Sequence, residues 1–323
     1  MSDDLVIDGA TFENVIGQIG AVIATNRWML GPPPANTKRG VDVYNANDFL
    51  SALLRSVVLF RHAHGYLPQF ASPTTFNEHI LARKFFAPLP MPSLGDKLGV
   101  RDYVRQRLGE EALIPVLWTG QRIDDLFTAD LPAGRFVLKA NHGCAMNLFL
   151  DLPQDLVTRG EEIRLTAQAW LGERFGYDQG EWQYSVIEPR LFLEGFLTQP
   201  NGEPIVEVKT HCFHGKPRLI QVVTGRFTEH LGLGQYDADW TYMDAGIDGY
   251  EALKFDRPKN FDVLIECIER LAQGLEYARI DLYTDFDQIV KFGEITLTPG
   301  DGRQSFSSLE FERWLGGFFT PTG

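Results

Sequence analysis

Positive charge is in short supply in this sequence. Thirty lysines and arginines face 43 aspartates and glutamates, giving a formal net charge of −13. Binding nucleic acid without regard to sequence needs a basic footprint, so no nucleic-acid partner is expected. A small polyanion such as ATP is not excluded, because a few local cations can hold it inside an acidic protein. Cysteine is scarce too. Cys144, Cys212 and Cys267 are odd in number, widely spaced and form no CxxC, which points to free thiols in a reducing cytoplasm. No run of about 18 apolar residues occurs, so no membrane span is expected. The most apolar early stretch, residues 49–60, is broken by Arg55 and reads as an amphipathic helix. The opening MSDDLVIDGA lacks the basic n-region of a secretory signal. Internal repeats, low-complexity tracts, a P-loop and a dinucleotide fingerprint are all missing.

What the chain does have is apolar bulk. Its 323 residues are 44% hydrophobic and 12% aromatic, enough for a large core and for about two domains. The loop Gly31-Pro32-Pro33-Pro34-Ala35-Asn36 separates the first segment from a helix predicted over residues 46–64. Thr75 and Glu78 have the spacing of a capping box for a helix reaching Phe86, which a proline-rich loop over residues 87–92 ends. Asp96-Lys97 opens a further helix, with Val100, Tyr103, Val104 and Leu108 at helical spacing and Gly109 as its stop. A short apolar strand is expected over residues 112–118, another over 135–140, and a third over 190–197. Residues 204–223 read as a hairpin turning at His214-Gly215-Lys216. An amphipathic helix carries Phe261, Leu264, Ile268, Leu271 and Leu275. Two strands follow, over residues 278–283 and 289–297, with a turn at Asp285-Phe286-Asp287-Gln288. Helices and strands mix without a regular βαβ rhythm, so the fold class is α+β.

The chemistry concentrates near the C-terminal end. Side chains alternate faces along a strand, so Arg279, Asp281 and Tyr283 share one face, and Glu294 and Thr296 share a face of the next strand. If the two strands pair as a hairpin, two carboxylates, a hydroxyl and a guanidinium converge. Carboxylates at close range repel unless a cation or proton intervenes. Magnesium takes oxygen ligands and commonly shares one or two carboxylates with substrate phosphates. On this reading both Asp281 and Glu294 serve catalysis, neither serves folding, and removing one charge leaves stability unchanged or raised. A surface hairpin with exposed charges is the plainer alternative.

Other residues are weaker signals. Lys139 ends an apolar strand just before the small, polar loop Asn141-His142-Gly143-Cys144-Ala145-Met146-Asn147, where an ammonium and loop amides can meet phosphates. Lys97 lies at a helix start, where the dipole mildly disfavours a cation. For either lysine alone, a solvated surface role is the better reading. His142 borders the loop and is a candidate to touch nucleotide or a reacting carboxylate. Lys209 lies on a strand near the presumed ATP cleft and is a candidate to contact phosphate or substrate. His211, Cys212 and His214 spell a metal cluster, but the hairpin gives them structural places. Asp237-Ala238-Asp239 is a DxD only by spelling. Trp182 and Tyr184 read as core aromatics.

Taken in order, these stretches resemble the TupA-like branch of the ATP-grasp superfamily, from about Phe60 to Gly317. The matching residues are Thr75-Phe76-Asn77-Glu78 with Lys84; Asp96-Lys97 with Val100-Arg101 and Tyr103-Val104; Phe136-Val137-Leu138-Lys139 with Asn141-His142-Gly143; Glu181-Trp182-Gln183-Tyr184; and Glu194 with Phe196-Leu197. Lys209, Cys212-Phe213, Gly215-Lys216, Arg279-Ile280-Asp281-Leu282-Tyr283 and Phe292-Gly293-Glu294-Ile295-Thr296 complete them. The resemblance implies an ATP-grasp fold, two α+β subdomains clasping ATP, with a helical N-terminal region. Its expected divisions are residues 1–134 for that region, 135–193 for a lid subdomain and 194–323 for the subdomain with the metal site. It implies Lys97 and Lys139 on the α- and β-phosphates, Glu194, Phe196 and Leu197 at the adenine hinge, and Arg279 as a phosphate or acyl-phosphate clamp. Asp281, Glu294 and Thr296 correspond to the magnesium ligands, although many ATP-grasp enzymes carry asparagine where Thr296 stands. Ala145 replaces a common second glycine of the phosphate loop.

The activity implied is ligation through an acyl phosphate: ATP activates a carboxylate, and an amine attacks with release of phosphate. The loop over residues 141–147 would act as a lid that excludes water. Relatives associated with teichuronopeptide and capsule suggest a uronic acid and an amino acid as the partners, in the cytoplasm. A small-molecule phosphotransferase and a glycosyltransferase-like polysaccharide protein are the alternatives. Residues 1–45 match nothing recognised.

Overall fold

A computed structural model of the chain describes residues 8–25, 33, 35–90, 94–198, 205–225, 231–247 and 249–320. Gly31, Pro32 and Pro34 of the loop expected over residues 31–36 fall outside them, as do the end of the loop expected over 87–92 and Pro204. The N-terminal third is helical: α1 (Gly9–Thr25), α2 (Gly40–Val43), α3 (Ala46–His64), α4 (Phe76–Phe86) and α5 (Val100–Leu108), with a small ribbon of β1 (Thr37–Lys38) against β2 (Leu89–Pro90). Local chemistry sets the ends. Asn45 accepts from the amides of Asn47 and Asp48 at the start of α3, and Gly65 closes it at φ 78°. The capping box of α4 forms as expected between Thr75 and Glu78. The helix after Asp96-Lys97 starts later than expected, at Val100, because Asp96 Oδ1 accepts from the Leu98 amide and forms a turn first.

Four strands follow: β3 (Val116–Gly120), β4 (Gly134–Ala140), β5 (Asn147–Leu152) and, after helices α6 (Gln154–Thr158), α7 (Gly160–Gly172) and α8 (Trp182–Ser185), β6 (Leu191–Gly195). Their order is β3-β6-β4-β5, all antiparallel. Leu138, Leu150, Ile163, Ala167 and Leu193 form the core between this sheet and α7. The division expected at residue 134 therefore cuts this layer. β3 pairs with β6 along its length, so the sheet begins at Val116 and runs to Gly195.

The second sheet has six strands in the order β10-β9-β8-β7-β11-β12: β7 (Val206–Phe213), β8 (Lys216–Thr224), β9 (Gly232–Tyr236), β10 (Glu251–Ala252), β11 (Tyr277–Thr284) and β12 (Val290–Thr296). The hairpin from β7 to β8 turns at His214 and Gly215, with φ 50° and 79°, the pair of positive angles a two-residue hairpin needs. Helix α9 (Phe261–Ala272) lays Leu264, Ile268 and Leu271 on the back of the sheet, beside Ile280, Leu282 and Ile295. The same core contains Leu53, Val57 and Phe60 of α3 and Phe85 of α4, so the N-terminal helices and the second sheet share one interior. Helix α10 (Leu309–Gly317) closes the chain against α4. No helix among the described residues is long and apolar enough to cross a membrane.

Candidate active site

β11 and β12 pair antiparallel, with Arg279 opposite Thr296 and Asp281 opposite Glu294. The convergence expected from strand alternation is therefore present. The register shifts just after Asp281, and Gly293 fills the tight place: a Cβ there would lie 2.9 Å from the Asp281 carbonyl. What lies between the carboxylates is a guanidinium of the same chain. Arg279 donates through Nε to Asp281 Oδ1 at 2.7 Å and through Nη2 to Asp281 Oδ2 at 2.7 Å. Nη2 also donates to Glu294 Oε1 at 3.0 Å and to Thr296 Oγ1 at 3.1 Å. From the other side, Lys209 on β7 donates to Asp281 Oδ2 at 2.7 Å and to Glu207 at 3.1 Å. Burial alone would raise the Asp281 pKa; Arg279 first and Lys209 second overcome it and hold the carboxyl far below the usual carboxylate range.

Facing this hairpin, across a cavity of about 660 Å3, stands the four-stranded sheet. Lys97, Lys139, Asn147, Phe192 and Glu194 line that side; Glu207, Arg279, Tyr283, Glu294 and Thr296 line the other. Lys139 pairs with Glu194. Lys97 donates to the Gly143 carbonyl, and its position is fixed by a latch: its amide donates to Asn141 O at 3.0 Å, while the Asn141 side chain donates to Asp96 and accepts from the Arg190 amide. Burial lowers the Lys97 pKa, with Glu294 pulling it back up. A second, more apolar cavity of about 160 Å3 adjoins, lined by Val137, Phe149, Phe196, Leu197, Ile205 and Val223. Lys139, Asn147, Glu194, Glu207 and Tyr283 border both. The amides of Gly195 and Phe196 donate to Pro115 O and Arg135 O.

Several expected residues lie elsewhere. Asp281 is wholly buried and forms no part of either cavity wall, because both of its oxygens face Arg279 and Lys209. Lys209 is likewise turned to Glu207 and Asp281 and not into the cavity. His142 is 1% exposed and lies against the backbone of Trp170 and Glu173 at the end of α7, and the Gly143 carbonyl accepts from Lys97. His211 bonds with the Tyr277 hydroxyl and Gln221, and His214 with Phe319 O. Asp237 accepts from the amides of Asp239 and Thr241 and simply closes a turn. Trp182 is a core residue whose Nε1 donates to Lys84 O, whereas Tyr184 also lines the cavity. Sequence reasoning missed Glu181, Thr298, Asp301 and Arg303 as cavity residues. Glu181 directly precedes the aromatics Trp182 and Tyr184, which read as core, and Asp301 lies beyond the last expected strand.

Among the described residues no three His, Cys, Asp or Glu groups form a metal cluster by themselves. The donor set still fits magnesium: a carboxylate and a hydroxyl, Glu294 and Thr296, line the cavity with Asp281 directly behind, hard oxygens that suit a cation shared with phosphates.

The sequence matches the model of the TupA-like ATPgrasp family over residues 79–320. No curated protein sequence matches. Solved structures similar to the chain include the ATP-grasp ligase PsnB complexed with minimal precursor, at 11% identity and TM-score 0.35, over 63% of this chain and 52% of that one. D-alanine–D-alanine ligase from Bacillus anthracis is 15% identical with TM-score 0.37, over 69% and 62%. N5-carboxyaminoimidazole synthetase from Staphylococcus aureus, complexed with ADP, is 13% identical with TM-score 0.39, over 70% and 52%. The match thus spans about half to three fifths of the length of these proteins. With a family match covering well over half of its length, and with the paired strands and facing lysines described above, the chain belongs to the TupA-like ATPgrasp family.

Proposed function

We propose that the chain is an ATP-dependent carboxylate–amine ligase working through an acyl phosphate, with a uronic acid and an amino acid as the substrates and a cell-surface polysaccharide or its precursor as the destination. The observation that carries the reading is the cavity itself: two lysines on one wall, an arginine–carboxylate–hydroxyl set on the other, and an apolar chamber continuous with both. The base would rest among Phe149, Phe196 and Leu197, with the phosphates running toward Lys139 and Lys97. Those ammonium groups would offset the phosphate charge.

Magnesium would be held by the Glu294 and Thr296 oxygens that line the cavity and would supply charge neutralisation and orientation for the transferred phosphoryl group, while the buried Asp281 fixes Arg279 beside them. Arg279 spans the same place; with Nε and Nη2 committed to Asp281, Glu294 and Thr296, its Nη1 donors are what would meet the carboxylate substrate or the departing phosphate. The loop at residues 141–147 covers the site from the lid side and limits water, which would otherwise hydrolyse an acyl phosphate. Positioning and charge neutralisation supply most of the acceleration in phosphoryl transfer.

The direct test is a screen for ADP release, with the common amino acids set against glucuronate and galacturonate and the products analysed by mass. The expected outcome is ADP, phosphate and an amide in equal amounts. A stable phosphorylated sugar or amino acid as the end product would instead establish a phosphotransferase, and no ADP above background would remove support for either.

A further inference from the structure

Beyond Thr296 the cavity ends in charged groups that the steps above leave unused. Thr298, Gly300, Asp301 and Arg303 follow β12, and Glu181 comes from the turn before α8. Lys84 of α4 backs this wall with no exposure at all, donating to Ser56 Oγ at 3.0 Å and pairing with Asp301. The chain is bent to bring these groups together. Gly300, Asp301 and Gly302 are left-handed in succession, at φ 63°, 56° and 70°. Gly180 is left-handed as well, and a Cβ there would strike the Phe85 ring and approach the Lys84 side chain to 3.1 Å. Glu181 is thereby laid over α4.

Glu181 is only 9% exposed, yet its carboxyl borders the cavity. The Thr298 hydroxyl donates to Oε1 at 2.8 Å, and Gln183 in turn donates to Thr298 at 2.8 Å. No hydrogen bond from the described residues reaches Oε2. Asp301, Lys84, Arg303, Tyr184, Cys144 and Tyr44 are the titratable groups that face it. Burial first, and the Asp301 charge second, push its pKa up to about 7 against the opposing pull of Lys84, Thr298 and Arg303. Arg303 lines the same wall, a third exposed, with Nη2 3.2 Å from Asp301.

We propose that this wall is the acceptor subsite of the ligase reading, on which the proposal rests: it takes a primary amine that also bears an acid group, an α-amino acid being the simplest, with Glu181 as proton acceptor and Arg303 as the partner of the acid group. The incoming ammonium gives one proton to the Glu181 carboxylate and becomes nucleophilic. Its nitrogen then bonds to the acyl carbon, the carbon–oxygen bond to phosphate breaks, and the second proton leaves with phosphate as hydrogen phosphate. A buried carboxyl whose proton affinity lies near neutrality is suited to accept that first proton and release it again.

Hydroxylamine separates this role from a structural one, because it is already unprotonated at neutral pH and needs no base. Wild type and Glu181→Gln are assayed with ATP, magnesium and glucuronate, galacturonate or L-glutamate as the acid. The nucleophile is either hydroxylamine or each of the twenty α-amino acids. Wild type is expected to form both hydroxamate and an amide. Glu181→Gln is expected to lose at least about a hundredfold in amide formation, the usual scale of general base catalysis, and to form hydroxamate at the wild-type rate. Arg303→Gln is expected to raise KM for the amino acid but not for its methyl ester. Equal loss of both products in Glu181→Gln, or wild-type hydroxamate without amide from any amino acid, overturns the subsite while leaving the ligase reading intact. No hydroxamate from wild type with any of the acids contradicts the ligase reading itself, and the subsite with it.

Discussion

Glu294→Gln is expected to lower turnover by at least about a hundred- to a thousand-fold while leaving the metal-free melting temperature close to that of wild type. The first half follows from charge: the substitution keeps the side chain's shape but withdraws the carboxylate that lines the cavity beside Arg279 and Thr296. Loss of one preorganised charge contact to the transferred group costs catalysis on that scale. The second half narrows the expectation of unchanged or raised stability to an unchanged one. Arg279 already lies between Glu294 and Asp281, so there is little repulsion to relieve, and Glu294 is 31% exposed at its side chain. Turnover and melting temperature are measured on the same preparations. Near-normal turnover would remove Glu294 from the site.

Asp281→Asn is expected to behave differently, and here the reading that neither carboxylate serves folding is corrected. Asp281 is fully buried and neutralises two cations, Arg279 and Lys209, which are themselves nearly buried. Breaking a buried ion pair by removing one partner strands the other charges, at a cost of about 3–5 kcal/mol. A fall in melting temperature of roughly 5–15 °C is expected, together with loss of activity. The pH dependence has a definite sign. The folded-state pKa of Asp281 is depressed, so its contribution to stability is fully present above the unfolded value, about 3.9, and is lost as pH falls through the folded value. Melting curves between pH 3 and 7 should therefore show wild type losing part of its advantage over Asp281→Asn only below about pH 4. An advantage that stays constant from pH 4 down to pH 3, or one that already shrinks between pH 7 and 5, would contradict it.

How much of this was legible beforehand depended on whether the signal was local. The capping box at Thr75 and Glu78, the His214-Gly215 turn and the face shared by Arg279 and Asp281 are short-range consequences of side-chain chemistry and strand alternation, and each is found. The pairing of Asp281 with Glu294 needed only a hairpin. The partnership of Asp281 with Lys209 needed to know that β7, 72 residues away, is the neighbour on the other side of β11, and no local pattern carries that. The same holds for Glu181, Lys84 and Asp301, which meet from three separate segments. His142 failed for a simpler reason. Standing next to a loop says nothing about which way a side chain turns, and this one turns inward toward α7.

The central claim is that the cavity between the two sheets takes ATP with magnesium, gripped by Lys139. Titrating Mg-ATP into the chain in a calorimeter, beside Lys139→Ala, tests it most directly. Saturable binding at one site is expected for wild type, with a matching rise in melting temperature by mass action. Losing a charged hydrogen bond costs roughly 1.5–3 kcal/mol, so Lys139→Ala should bind about 10- to 150-fold more weakly while remaining folded. Absence of binding to wild type at millimolar Mg-ATP, or binding to Lys139→Ala as tight as to wild type, would contradict it.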